Sequence, residues 1–443
     1  MSGSGTADEH LRHAEVAAPA PAGPPSAAEG SDVLPEGLSE ALDHLGRLRW
    51  DQYVELALYA PASGFFATGG RAGRRGGDFV TSPEVGPTFG KVIAAHLDEL
   101  WDRLGEPVPF SVVEGGAGRG ALAIAVRAAS PRCAQALHWT MVERVSSLRA
   151  EHGDHLELVD HAAVACHDGS ARTEGIPVVG PWFSSLPEMP DGPLTGAVIA
   201  NELLDNLPFR LLERRDGTWQ EVMVTLGDGA AGSVGADPCH DAGLDPSAGA
   251  SSRGPVLLEA VAAVPEMVAA AFDEVAPGAV EGSRVPWQPA ASKWVTDAIA
   301  MLDQGEVIVF DYADSTASLA GRPQSEWLRT YRSHHRGRSP LENPGSQDIT
   351  VEVALDQLPP HDEIAPRRTG CARTGWTCWS RRPTGSGASA PASVTSKRSA
   401  PEASRPKPPR SSTKPAWARF KVLTWHIRDL RHGTTRHGAG VES

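Results

Sequence analysis

Apolar positions along the chain alternate between two periods. From Trp50 to Phe66 and again from Thr88 to Leu104 they recur every three to four residues, and both stretches predict helices. In the second, Phe89, Val92, Ile93, Leu97, Leu100 and Trp101 share one side, whereas Pro61 ends the first ahead of an aromatic turn. Phe110–Val113 and His138–Val142 predict strands, with a helix over Arg119–Ala129 between them. Ala197–Ala200 and Val307–Phe310 are short continuous apolar runs suited to a parallel sheet buried on both faces. Arg210–Glu213 and Gln220–Thr225 flank Asp216-Gly217, a hairpin signal. Helical spacing returns over Val256–Val275 and Ala290–Leu302. Strands alternating with helices predict an α/β fold with its sheet covered on both sides.

Three stretches break this pattern. Residues 1–37 are dominated by Ala, Pro and Gly and predict a disordered tail. Residues 226–255, rich in Gly, Ala, Ser and Asp, predict a surface insertion in a domain over 38–365. Residues 366–417 contain no Leu, Ile, Met or Phe, and eleven Lys or Arg against the single Glu402, so they cannot bury a core. A basic tail for nucleic acid or an acidic partner would read this way, as would a partial metal site at Cys371 and Cys378. Out-of-frame translation of GC-rich DNA is favoured, because the apolar pattern FKVLTWHI resumes abruptly at Phe420. Residues 418–443 then form a residual strand and tail.

Charge and cysteine content narrow the function. A net charge of −14 argues against general nucleic-acid binding. The five cysteines form no C-x-x-C pair, so neither a disulfide framework nor a metal site is predicted. No run of about 18 apolar residues offers a membrane span, and the first residues lack the apolar core of a signal peptide. A reduced, cytoplasmic setting is expected.

The chemistry concentrates at Ser111–Leu122, SVVEGGAGRGAL, where a strand runs into Glu114 and then Gly116, Gly118 and Gly120. Such glycines let the backbone turn tightly and approach a cofactor, with a helix N-terminus behind them. The stretch also satisfies the dinucleotide pattern G-x-G-x-x-A, so NAD and S-adenosylmethionine both fit it. Glu143, ending the second strand, can accept hydrogen bonds from two ribose hydroxyls. Glu114 is expected to face, indirectly, the cationic methionyl end of S-adenosylmethionine, since a carboxylate there would repel a pyrophosphate. Asn201, Glu202 and Asp205 follow the strand Ala197–Ala200 and enter the same crevice. Their carboxylates suit a guanidinium methyl acceptor, and Asn201 offers a carbonyl to a nitrogen nucleophile. The same residues are also good helix caps. Asp78, within GDFVTSPEV (Gly77–Val85), is expected to close over the cofactor behind a glycine-rich lid. Asp311, Tyr312, Gln347 and Asp348 sit at strand ends, and His334 and His335 lie nearby.

Together, YVELALYAPASGFF, GDFVTSPEV, ANELLDNLP, VFDYA and NPGSQDIT resemble the MidA family of S-adenosylmethionine-dependent methyltransferases, over roughly residues 38–357. The resemblance implies a Rossmann-like class I methyltransferase fold with a helical add-on and S-adenosyl-L-methionine as cofactor. From the family's mitochondrial members it implies dimethylation of an arginine on a respiratory complex I subunit. Gly115 and Ala117 stand where the family usually has Leu and Pro, and Ala313 where it has Gly. The leading expectation is therefore a methyltransferase acting on an arginine of a protein partner. A small-molecule N- or O-methyltransferase, an NAD-dependent dehydrogenase and a non-catalytic assembly factor are the rivals, although the dehydrogenase leaves NELLDNLP without a role.

Overall fold

The computed structural model describes residues 34–68, 87–165, 179–227, 256–332, 335–366 and 420–428. Its centre is a sheet whose main strands are β1 (Phe110–Gly115), β2 (Leu137–Val142), β3 (Trp182–Leu186), β4 (Leu194–Asn201), β5 (Leu302–Asp314), β6 (Glu363–Pro366) and β7 (Phe420–Ile427). Their spatial order is β6-β7-β5-β4-β1-β2-β3, and the two-residue strand Val353–Ala354 also pairs with β5. Strands β1 to β5 run parallel, while β7 runs antiparallel to both β5 and β6. Strand order reverses beside β1, where β4 lies on one side and β2 on the other. In such sheets the crevice at the carboxyl ends of the strands is the ligand site.

Alternating side chains bind helices to both faces. Val112, Ile199, Ile308 and Phe310 pack with α2 (Pro87–Arg103) through Phe89, Ile93 and Leu97, and with α3 (Ala121–Ala129) through Leu122 and Val126. Val113, Val198, Val307 and Val309 pack on the other side with Val295 and Ala298 of α4 (Pro289–Met301). The helix α1 (Trp50–Tyr59) ends before Pro61 as expected and covers a second layer.

That second layer extends the expected helical add-on. Beside α1 and the helix Leu38–Leu45, it contains a five-stranded antiparallel sheet built on Arg210–Arg215 and Thr218–Leu226. The hairpin turn is at Asp216 and Gly217, with φ of 53° and 76°. Helical spacing over Val256–Val275 is partly overturned. Leu257–Ala263 is a strand paired with Thr218–Leu226, and the helix is confined to Glu266–Val275 beyond Pro265. A short apolar run fits either period, and here strand pairing decided it. The helix predicted from Arg119 begins at Ala121, because Gly120 takes φ +80° as its N-cap.

The tail over 1–33, most of the insertion (228–255) and nearly all of the basic segment (367–417) lie outside the described residues. Among the described residues, no helix is long and apolar enough to cross a membrane.

Candidate active site

A cavity of about 370 Å³ opens at the carboxyl edge of the sheet, beside β1. That volume lies within the range of small-ligand pockets. Glu114, Gly116, Gly118, Glu143, Asn201 and Glu202 all line it, so six of the nine expected site residues converge on one space. Asp78 lies outside the described residues.

Two expected residues are near but not in the lining. Gly120 sits behind the loop, where an added Cβ would come within 2.8 Å of Met141 Sδ. Its role is to turn the chain into α3. Asp205 is buried in the short turn Leu204–Asn206 beside the cavity. That turn is too brief to be the capped helix that Asn and Asp could have started.

The loop after β1 is pinned from several sides. Glu143 accepts the Gly118 N–H at 2.9 Å on one carboxylate oxygen and the Val145 N–H at 2.8 Å on the other. Burial raises its pKa, and these two backbone donors counter the rise. The Ala117 N–H donates to the Val142 carbonyl at 3.0 Å, tying the loop to β2. Gly116 and Gly118 hold φ of 65° and 55°. A Cβ on Gly116 would meet Leu203 at 2.8 Å, whereas one on Gly118 would project into open space.

Glu114 is 4% exposed and accepts the Trp139 indole N–H at 2.9 Å. Burial lifts its pKa to about 8, the Trp139 bond opposing and the Glu143 charge adding. Glu114 is therefore a neutral acid near pH 7 unless a cation meets it. This removes the argument that its charge would repel a pyrophosphate.

Across the cavity, β4 ends in Asn201 and Glu202. Glu202 takes φ +50°, a strained conformation for a side chain with a Cβ, and its N–H donates to the Phe310 carbonyl at 2.8 Å. Asn201 Oδ1 is buried with no hydrogen-bond partner among the described residues. Asp311 is fully buried and accepts the backbone N–H groups of Leu204 (2.9 Å), Asp205 (3.2 Å) and Tyr312 (2.8 Å), so it shapes the turn. Asp348 likewise accepts from Asn206 Nδ2 at 2.9 Å. Burial, then the Asp348 charge, lifts Asp205 to about 7. Burial, then the Asp205 charge, lifts Asp311 well above its ordinary value. Asp205, Asp311 and Asp348 thus form a buried acidic group beside the cavity, with the Arg329 charge opposing the rise at Asp205.

A family model for S-adenosyl-L-methionine-dependent methyltransferases matches residues 92–377, well over half of the chain. The chain belongs to that family. It is 30% identical over 213 residues to the protein arginine methyltransferase NDUFAF7 homolog, mitochondrial, of Drosophila melanogaster, covering 46% of this chain and 48% of that protein. It is 26% identical over 216 residues to the mouse protein arginine methyltransferase NDUFAF7, mitochondrial, covering 45% and 47%. The matched stretch thus spans about half the length of these curated relatives. A crystal structure from Burkholderia thailandensis bound to S-adenosyl-homocysteine superposes with a TM-score of 0.56 at 24% identity, covering 72% of this chain and 73% of that one. At that identity the likeness concerns the fold.

The residues present fit the family's cofactor. The glycine loop lets a ligand approach its backbone, Glu143 retains acceptor capacity, and Asn201 Oδ1 awaits a donor. Val145, Leu148, Pro187 and Met189 supply an apolar side to the cavity.

Several lining residues carried no signal of their own in the sequence. Tyr59 and Phe66 come from α1 and the turn after it, their rings 5.4 Å apart. The Tyr59 hydroxyl donates to the Asn206 carbonyl at 3.2 Å. Arg144 lies 4.1 Å over the Tyr59 ring and pairs with Glu55. Trp294 of α4 closes the cavity behind Gly115. Tyr59 and Phe66 fall in YAPASGFF, a string whose aromatic turn was visible but whose destination was not. Of the other strand-end candidates, Gln347 braces the 337–342 loop through Arg338, Ser339 and Glu342, and His335 is exposed. His334 lies outside the described residues.

Proposed function

We propose that the protein binds S-adenosyl-L-methionine in this cavity and methylates an arginine side chain of a protein partner. The observation that carries the acceptor assignment is the placement of Asn201 and Glu202 together in the cavity lining at the carboxyl end of β4. The Glu202 carboxylate and the Asn201 carbonyl, which has no partner among the described residues, face the same cavity as the glycine loop, with Asp205 buried beside them. A guanidinium offers five N–H donors and a positive charge, which complement such a set.

The cofactor supplies a methyl group already activated by a sulfonium. The chain's own residues then have three tasks. Glu143 and the Gly116–Gly118 backbone fix the donor side. Glu202 holds the acceptor guanidinium and draws its charge away from the attacking nitrogen, whose N–H is oriented by Asn201 Oδ1. As the nitrogen–carbon bond forms and the carbon–sulfur bond breaks, the methylated guanidinium gives up one proton, which the Glu202 carboxylate can accept. Tyr59, Phe66 and Trp294 exclude water around this exchange.

A protein acceptor is favoured by the likeness to named protein arginine methyltransferases, and a respiratory complex I subunit is the first candidate to test. The sequence leads to the expectation of a reduced, cytoplasmic setting, while the named relatives are mitochondrial. The test is incubation with S-adenosylmethionine and arginine-bearing protein fractions, read by mass spectrometry. Methylarginine that depends on Glu202 supports the reading. Methylation confined to small amines, or none, refutes it.

A further inference from the structure

His152 belongs to no motif read from the sequence, yet it is 1% exposed and touches the cofactor loop. It lies in the turn Glu151–Asp154, between β2 and β3. Its Nε2 is 2.9 Å from the Gly118 carbonyl, and its Nδ1 is 2.9 Å from the Ser185 hydroxyl on β3. A carbonyl oxygen can only accept, so Nε2 must carry the proton. The neutral ring then leaves Nδ1 bare, and Ser185 donates to it.

Gly118 is gripped on both sides of one residue. Its N–H goes to Glu143 at 2.9 Å and its carbonyl receives His152 at 2.9 Å. The two bonds fix the peptide planes flanking Gly118, whose Cα faces open space at the cavity. Without the histidine the half-buried carbonyl would lose this donor and be free to turn toward the cavity.

We infer that His152 is a positioning residue that, with Ser185 setting its tautomer, holds the Gly118 peptide in the orientation that receives the cofactor. Burial lowers the imidazole pKa and so favours the neutral ring. The inference rests on the reading that the cavity takes S-adenosylmethionine.

Calorimetric titration of the full chain with S-adenosyl-homocysteine tests it. His152→Phe, which fills the space but donates nothing, should weaken binding by about tenfold, the scale of one intramolecular hydrogen bond. His152→Gln, whose amide N–H can reach the same carbonyl, should stay within about threefold of the parent. A purely packing role would be served better by Phe than by Gln, so that order separates the two. Ser185→Ala leaves the ring in place but releases its tautomer, and should cost at least about threefold. If His152→Phe does not fold, the Gln and Ala variants carry the test. Unchanged affinity in Ser185→Ala, or equal losses in Gln and Phe, overturns the inference. If the parent itself fails to bind, the cofactor reading falls and the inference with it. If the parent binds and all variants match it, only the clamp is wrong.

Discussion

Glu143 satisfies two backbone donors, those of Gly118 and Val145, before any ligand arrives. Removing its carboxylate should therefore loosen the loop as well as delete the ribose contacts assigned to it. Glu143→Ala is expected to cost about 1.5–3 kcal/mol of cofactor binding, roughly 10- to 150-fold in Kd, because the acceptor is charged. Titration with S-adenosyl-homocysteine reads this directly, and an unaltered Kd would place the ribose elsewhere. Glu114 makes a different prediction. With its pKa at about 8 the ligand-free site holds a proton at neutrality. A cationic cofactor prefers the carboxylate, so binding expels that proton. Affinity should then rise with pH and level off above about pH 8. The sign for stability is opposite. The folded protein keeps this proton where the unfolded chain, with an ordinary value of 4.5, has released it. The ligand-free protein should thus lose stability as pH rises from 4.5 through about 8. Glu114→Gln should flatten both profiles, and a parent protein whose affinity ignores pH would contradict the assignment.

At the level of elements, the parallel sheet leaves little room for change. Gly196 on β4 has φ +150°, and an added Cβ would lie 1.8 Å from the Ser111 carbonyl on β1. Gly196→Ala must push β1 and β4 apart, at a cost of about 4 kcal/mol or more, the scale of severe core mutations. A thermal melt within a few degrees of the parent would show that the strands yield more easily. Leu423, fully buried on β7, should cost about 2–5 kcal/mol as Leu423→Ala, the usual price of a core cavity. These elements were legible to different degrees. Strands β1, β2, β4 and β5 announced themselves because both faces are buried and their runs are continuous. Glu114, Glu143, Asn201 and Glu202 were legible because residues at the carboxyl ends of such strands can only meet in one crevice. The strand at Leu257–Ala263 was not, since its apolar residues fit a helix until pairing with Thr218–Leu226 is known. Nor was His152, whose partners lie on the glycine loop and β3, distant in sequence.

For the whole molecule, two architectures meet at the active site. The parallel sheet brings the glycine loop and the acidic strand ends, and the second layer brings Tyr59 and Phe66 through α1. The proposed cofactor and acceptor sides rest on different residues and should separate by mutation. Glu202→Gln preserves shape and removes charge, so it should leave S-adenosyl-homocysteine affinity within about twofold while abolishing most transfer. The most direct measurement is methyl transfer from labelled S-adenosylmethionine to arginine-containing and lysine-substituted versions of the same protein acceptors, with parent and Glu202→Gln side by side. The account predicts label on arginine with the parent, none on the lysine versions, and loss of transfer without loss of cofactor binding in the variant. Label on lysine, or cofactor affinity falling in step with activity in Glu202→Gln, would contradict it.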